Sequence, residues 1–157
     1  MAIITNDWTG TEYFKINDFN HLECYVGNAK QSMYYYCLVM GFRPYAYKGP
    51  ESGSKDCVSY VLKNNQIFIV LTTPLNSSHP ASNWLLKHGD GIVDISMNVD
   101  NAKEAHDSCI SRGAISSFDY NELTDKNGSY GRSAIKTYGN VIHSFIDNSQ
   151  YDGIWAP

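Results

Sequence analysis

Residues 21–41 read HLECYVGNAKQSMYYYCLVMG, and residues 94–113 read DISMNVDNAKEAHDSCISRG. Each stretch opens with polar and apolar residues in alternation, passes a residue able to cap a helix, and continues with apolar residues at helical spacing as far as a glycine. In the first, Leu22 to Val26 predicts a strand, Asn28 an N-cap, and Ala29 to Met40 a helix stopped at Gly41. In the second, Ile92 to Val99 predicts the matching strand, Asp100 or Asn101 the cap, and Ala102 to Arg112 the helix, with Gly113 behind it. The offset is about 73 residues, so the chain is built on an internal repeat.

The segments behind the two helices extend the repeat. Arg43 to Tyr47, Cys57 to Leu62 and Ile67 to Thr72 are strand-like after the first helix; Ser116 to Tyr120, Tyr130 to Thr137 and Val141 to Ile146 are strand-like after the second. Asn64-Asn65 and Tyr138-Gly139-Asn140 have the residue types of tight hairpin turns. Both halves therefore predict β-α-β-β-β. The stretch from Thr73 to Gly91 carries Pro74, Pro80 and a short amphipathic turn around Trp84, Leu85 and Leu86, which marks it as a connector. The expected organisation is an arm over residues 1–18, one domain over 19–151 (modules 19–72 and 91–147, connector 73–90), and a lead-out over 152–157.

Composition narrows the function classes. The 157 residues are 43% apolar and 18% charged, with a formal net charge of -4 and no Lys/Arg run, which excludes disorder and argues against nucleic acid or an anionic membrane as partner. Met1 to Tyr13 has neither a cationic start nor an apolar core, and the expectation is a cytoplasmic protein. Cys24, Cys37, Cys57 and Cys109 are far apart and fall in apolar segments, as buried reduced thiols do. There is no GxGxxG or GxxxxGK[ST] phosphate loop and no GxSxG elbow.

Strand alternation separates two faces. Asp94, Ser96 and Asn98 share one face of the fifth strand and Ile95, Met97 and Val99 the other; His21, Glu23 and Tyr25 oppose Leu22, Cys24 and Val26 in the first. The helical stripes Met33, Tyr36, Cys37, Met40 and Ala102, Ala105, His106, Cys109 complement the apolar faces as core. Of Tyr34, Tyr35 and Tyr36, one or two rings must point outward to a rim or an interface. The polar faces should then line a cup. An α+β fold of two βαβββ modules of this kind resembles the vicinal-oxygen-chelate (glyoxalase/bleomycin-resistance-like) domain, in which paired sheets form an incomplete barrel.

Particular phrases resemble a narrower family. Val26-Gly27-Asn28-Ala29-Lys30-Gln31, Tyr36-Cys37 and Met40-Gly41-Phe42 are similar to the opening of 4-hydroxyphenylpyruvate dioxygenases, as are Glu51-Ser52-Gly53-Ser54, Lys87-His88-Gly89-Asp90-Gly91 with Asp94-Ile95, and Thr137-Tyr138-Gly139. The resemblance runs from about Phe19 to Tyr151. It implies an N-terminal domain of an Fe(II) enzyme of tyrosine breakdown that converts 4-hydroxyphenylpyruvate and O2 to homogentisate and CO2. It also implies that the iron, held by a two-His, one-carboxylate set, belongs to a C-terminal domain absent from this sequence, leaving no catalytic or cofactor-binding residue here. The related hydroxymandelate synthase differs in that absent half. The implied role is structural, with the chain's own C-terminal domain and a second copy, as a dimer, for partners; an apolar face normally covered by such a partner predicts self-association.

Two other readings use the same residues. His21, Asp94 and His143 lie on the first, fifth and eighth strands, where vicinal-oxygen-chelate enzymes carry metal ligands, and would make a free-standing metalloenzyme. The fourth strand offers only Phe68 or Val70 at the corresponding place. Alternatively, Tyr25, Tyr45, Tyr47, Tyr60 and Trp84 would wall a metal-free module binding a small molecule. His79 before Pro80, His88 at a helix end and His106 along the second helix have ordinary structural explanations.

Overall fold

The computed structural model describes residues 13–153. They form β1 (Ile16–Tyr25), α1 (Ala29–Met40), β2 (Arg43–Lys48), β3 (Cys57–Asn64), β4 (Ile67–Pro74), α2 (Pro80–His88), β5 (Gly91–Val99), α3 (Ala102–Ser111), β6 (Ile115–Asp125), β7 (Gly128–Lys136) and β8 (Ile142–Tyr151). Helix α1 starts directly after Asn28, whose backbone is extended and whose Oδ1 accepts the Gln31 N–H at 3.0 Å. It ends at Gly41, whose φ of 73° is left-handed, and the Phe42 N–H reaches back to the Tyr36 carbonyl at 3.2 Å. Asn101 caps α3 in the same way, with Oδ1 accepting from the Glu104 N–H at 3.0 Å, which decides between the two residues able to do so.

The strands join in one sheet of order β2-β3-β4-β1-β5-β8-β7-β6. Each half brings its last strand beside its first and parallel to it, β4 on β1 and β8 on β5. The halves meet where β1 and β5 pair antiparallel, His21 opposite Ser96 and Glu23 opposite Asp94. Those two pairs interchange under the 73-residue offset, so the local two-fold axis of the repeat passes between them.

Burial follows the alternation. Cys24, Val26, Ile69 and Leu71 turn toward α1 and form one core with Ala29, Phe42 and Leu62; Met97, Val99 and Phe145 turn toward α3 and form a second with Ala102 and Ala105. Leu62 and Leu71 are fully buried, each worth roughly 1.5–3 kcal/mol of apolar transfer. Phe14 packs edge-on against Phe145, with ring centroids 5.4 Å apart, so the approach to β1 completes the second core. All four cysteines are free, and burial pushes the Cys24 thiol up to about 11.

Several boundaries differ from the sequence expectation. The arm expected over 1–18 gives way to strand at Ile16, and residues 1–12 lie outside the described residues. Strands β6 and β8 run on to Asp125 and Tyr151, because Thr124 pairs with Ser129 and Gly128 with Tyr151. The strand expected to end at Tyr120 is carried through Asn121 and Glu122 by their pairing with Arg132 and Gly131 of β7. Asp152 still donates its N–H to the Asn127 carbonyl at 2.9 Å, while 154–157 lie outside the described residues. Among the described residues no helix is long and apolar enough to cross a membrane.

Candidate functional site

The face of the sheet opposite the helices closes around a cavity of about 440 Å3. Alternation on β1 sends His21, Glu23 and Tyr25 into it, β3 adds Ser59 and Val61, β4 adds Val70 and Thr72, and β5 adds Asp94 and Ser96. Lys48 from β2, Arg132 from β7 and Ile146 from β8 stand on the walls. Both halves thus contribute, as the repeat requires.

Two chains of hydrogen bonds fix the floor. In the first, the Asn20 amide is oriented by donating to Asn98 Oδ1 at 2.6 Å, so its own Oδ1 accepts from His21 Nδ1 at 2.7 Å. His21 Nε2 lies 3.3 Å from Ser96 Oγ, and that hydroxyl donates to Asp94 Oδ2 at 3.0 Å. Asp94 also accepts from Ser144, from its N–H at 3.1 Å and its hydroxyl at 2.5 Å. In the second chain Thr72 donates to Glu23 Oε1 at 2.8 Å and lies 2.9 Å from the Ser59 hydroxyl.

Burial sets the ionisation of these groups. It lowers the His21 pKa to about 4, with the Arg132 charge pushing the same way. Asp94 is held above the usual carboxylate range by burial, against the pull of its bonds to Ser144 and Ser96 and of Arg132. Glu23 is raised too, first by burial and further by Asp94, while the Thr72 bond, Arg132 and Lys48 oppose. Burial also raises the Tyr25 phenol. At neutral pH the floor combines a neutral imidazole with two carboxyls that bind protons more readily than free ones.

Of the residues singled out in the sequence, His21 and Asp94 meet in this floor and His143 does not. Asp94 pairs with Ile142 and Ser96 with Ser144, so His143, opposite Ile95, points to the helix-side face. The three-residue metal set is therefore corrected: the register places Ser144 where the second imidazole would have to be. Both oxygens of Asp94 already accept from Ser144 and Ser96, and the residues do not fit a two-His, one-carboxylate iron site. Among the described residues no three His, Cys, Asp or Glu side chains are grouped to share a metal ion.

The aromatic set divides. Tyr25 and Tyr47 line the cup; Tyr60 packs against the first core, Tyr45 lies edge-on to Phe68, and Trp84 supports Tyr25 from behind at 6.2 Å between centroids. His79 caps α2, its Nδ1 accepting the Ala81 N–H at 3.2 Å, and also lines the cup. His88 meets Asn140 Oδ1 at 3.0 Å near the end of α2, and buried His106 meets the Ser116 hydroxyl at 3.0 Å. The sequence reading passed over Arg132, Lys48, Ser59 and Thr72. Period-two alternation gives each a face, but only the sheet order shows that those faces converge.

Comparison with known proteins adds relatives. No family model matches the chain. It is 34% identical over 143 residues to 4-hydroxyphenylpyruvate dioxygenase of Yarrowia lipolytica, an alignment covering 88% of this chain and 36% of that protein. The namesake of Coccidioides posadasii is 36% identical over 152 residues (88% and 38%), and that of Tetrahymena thermophila 34% over 148 (91% and 37%). The chain thus spans 36–38% of the length of these relatives. Among solved structures, a variant of 4-hydroxymandelate synthase from Streptomyces coelicolor superposes with a TM-score of 0.78 at 23% identity, over 84% of this chain and 38% of that one. Methylmalonyl-CoA epimerase from Mycobacterium tuberculosis does so with 0.68 at 15%, over 84% and 88%. At those identities the structural likeness speaks for the fold.

Proposed function

The chain belongs to the vicinal-oxygen-chelate fold and its homologues are 4-hydroxyphenylpyruvate dioxygenases, and from that premise we propose that it is the N-terminal, non-catalytic domain of such a dioxygenase. The reaction would be the conversion of 4-hydroxyphenylpyruvate and O2 to homogentisate and CO2 in the cytoplasm, with Fe(II) bound by a C-terminal domain outside this sequence. The observation that carries this is the register of β8: it puts Ser144 against Asp94, buried beneath the cup, and turns His143 away, so the second imidazole of the iron set is missing beside His21 and Asp94. Matching over only 36–38% of the relatives' length supports the same reading.

The role left to the domain is support and association. Helix α1 exposes Tyr34, Tyr35, Leu38, Val39 and Met40 on its outer side, and a strip of this kind supports contact with a second copy in a dimer. Anaerobic Fe(II) titration of the purified chain, followed by a homogentisate assay with 4-hydroxyphenylpyruvate and O2, tests the proposal. The expected result is neither stoichiometric iron nor product. One iron per chain, lost on His21→Ala or Asp94→Asn and accompanied by product, would overturn it.

A further inference from the structure

Arg132 stands half-buried on the wall of the cup. Its guanidinium carbon stands 4.8 Å from the centre of the Phe118 ring and the group is hydrogen-bonded to the Tyr130 hydroxyl, while its Nε is buried with no hydrogen-bond partner. A guanidinium presents five N–H donors in a planar fork, and charge removed from water is normally paired. Among the described residues, however, the ion pairs are Lys103 with Asp107 and His106 with Asp107, and neither Arg132 nor Lys48 takes part in one.

The carboxylates nearest to hand are otherwise engaged. Asp94 is tied on both oxygens to Ser144 and Ser96, and Glu23 is tied to Thr72, so both are held in the floor. The cup therefore carries two cations on its walls, Arg132 from β7 and Lys48 from β2, facing a space of about 440 Å3 in which neither is matched by a salt bridge. Between them lie apolar and aromatic surfaces, Tyr25, Tyr47, Val61 and Ile146. That volume is within the range of small-molecule pockets, roughly 300–1,000 Å3.

We infer that this cup binds a small aromatic monocarboxylate, with Arg132 as the residue that grips the carboxylate and the tyrosine rings flanking the arene. A planar carboxylate matches the guanidinium fork with two parallel N–H···O bonds, which a point charge cannot do. Glu23 and Asp94 face the same space and already equal the two cations in number, so a ligand with one negative charge is favoured over one with two. The inference rests on the reading of the cup as free of metal chemistry.

The test is an NMR titration of the full chain in the presence of EDTA, with benzoate, its neutral isostere benzamide, and the dianion terephthalate as probes. Benzoate should give saturable shifts confined to cup residues such as Ser96 and Thr72, with benzamide and terephthalate each weaker by about tenfold or more. Arg132→Met should weaken benzoate by about tenfold to hundredfold and Arg132→Lys by less, because Lys restores the charge without the fork. Tyr47→Leu, on the opposite wall, should weaken benzoate while leaving its preference over benzamide intact. Equal binding of benzoate and benzamide, or unchanged affinity in a folded Arg132→Met variant, would overturn the inference. No saturable shift with or without Fe(II) would overturn it alone. Binding that appears only when Fe(II) replaces EDTA would overturn it together with the proposed function.

Discussion

Replacing His21 with Gln should flatten the acid side of the stability profile. In the folded chain the imidazole is 7% exposed, donates through Nδ1 to Asn20 and has Ser96 Oγ at 3.3 Å from Nε2. Burial and then Arg132 lower its pKa from 6.5 to about 4, whereas the unfolded chain keeps the ordinary value. Between those values the unfolded state binds the proton and the folded state does not, so stability present above the unfolded pKa is lost as pH falls toward the folded one. The full window corresponds to about 3 kcal/mol, and the step from about pH 7 to pH 5 to about 2 kcal/mol. Glu23 and Asp94 act in the opposite sense: their folded carboxyls sit above the usual range, so acidification relieves the penalty of burying their charge. The wild-type profile is thus a sum of opposed slopes, and the comparison with His21→Gln isolates one of them. Urea unfolding of both proteins across this pH range, with the His21 ring followed by NMR, measures it. Parallel profiles agreeing within about 0.5 kcal/mol, or a ring that titrates at its ordinary value, would refute the reasoning.

Three further outcomes are expected. Gly128→Ala should be far more damaging than Gly139→Ala: both have positive φ, 121° and 68°, but only at Gly128 would the new Cβ meet backbone, 2.0 Å from the Gln150 carbonyl oxygen, so thermal unfolding should show about 1 kcal/mol lost at Gly139 and several times that at Gly128. Ser144→Ala removes one hydroxyl donor from Asp94 and should destabilise by about 1–3 kcal/mol near neutral pH in urea titrations, less once Asp94 is protonated; an equal loss at both pH values would contradict the assigned bond. The exposed α1 strip predicts a dimer by sedimentation that Leu38→Lys with Val39→Glu converts to monomer without loss of helix by circular dichroism, and a wild-type chain that stays monomeric at high concentration would remove this role from α1.

Local periodicity and punctuation in the sequence define where most elements start and the faces of the first and fifth strands, but not the ends of β6 and β8, the face of His143, or the exposure of Met40, which is expected in the core and stands on the outer side of α1. Asn28 and Gly41 bounded α1 to the residue because an N-cap acceptor and a left-handed glycine are properties of single positions. The alternation of His21, Glu23 and Tyr25 against Leu22, Cys24 and Val26 assigned faces correctly, and the 73-residue echo in Asp94 and Ser96 made the two halves equivalent before any strand was paired. Strand pairing is another matter, because a strand's register against its neighbour depends on partners distant in the chain, and it is fixed in the folded sheet alone. One residue of register on β8 separates His143 facing the cup from His143 facing the helices, and the pairing of Ser96 with Ser144 settles it. The same holds for Arg132: in sequence it is one polar residue in an edge-side strand, and only the order β1-β5-β8-β7 brings its guanidinium over a floor built some forty to a hundred residues earlier. Convergence of charges in a cup is a product of sheet order and curvature, and no local pattern carries it.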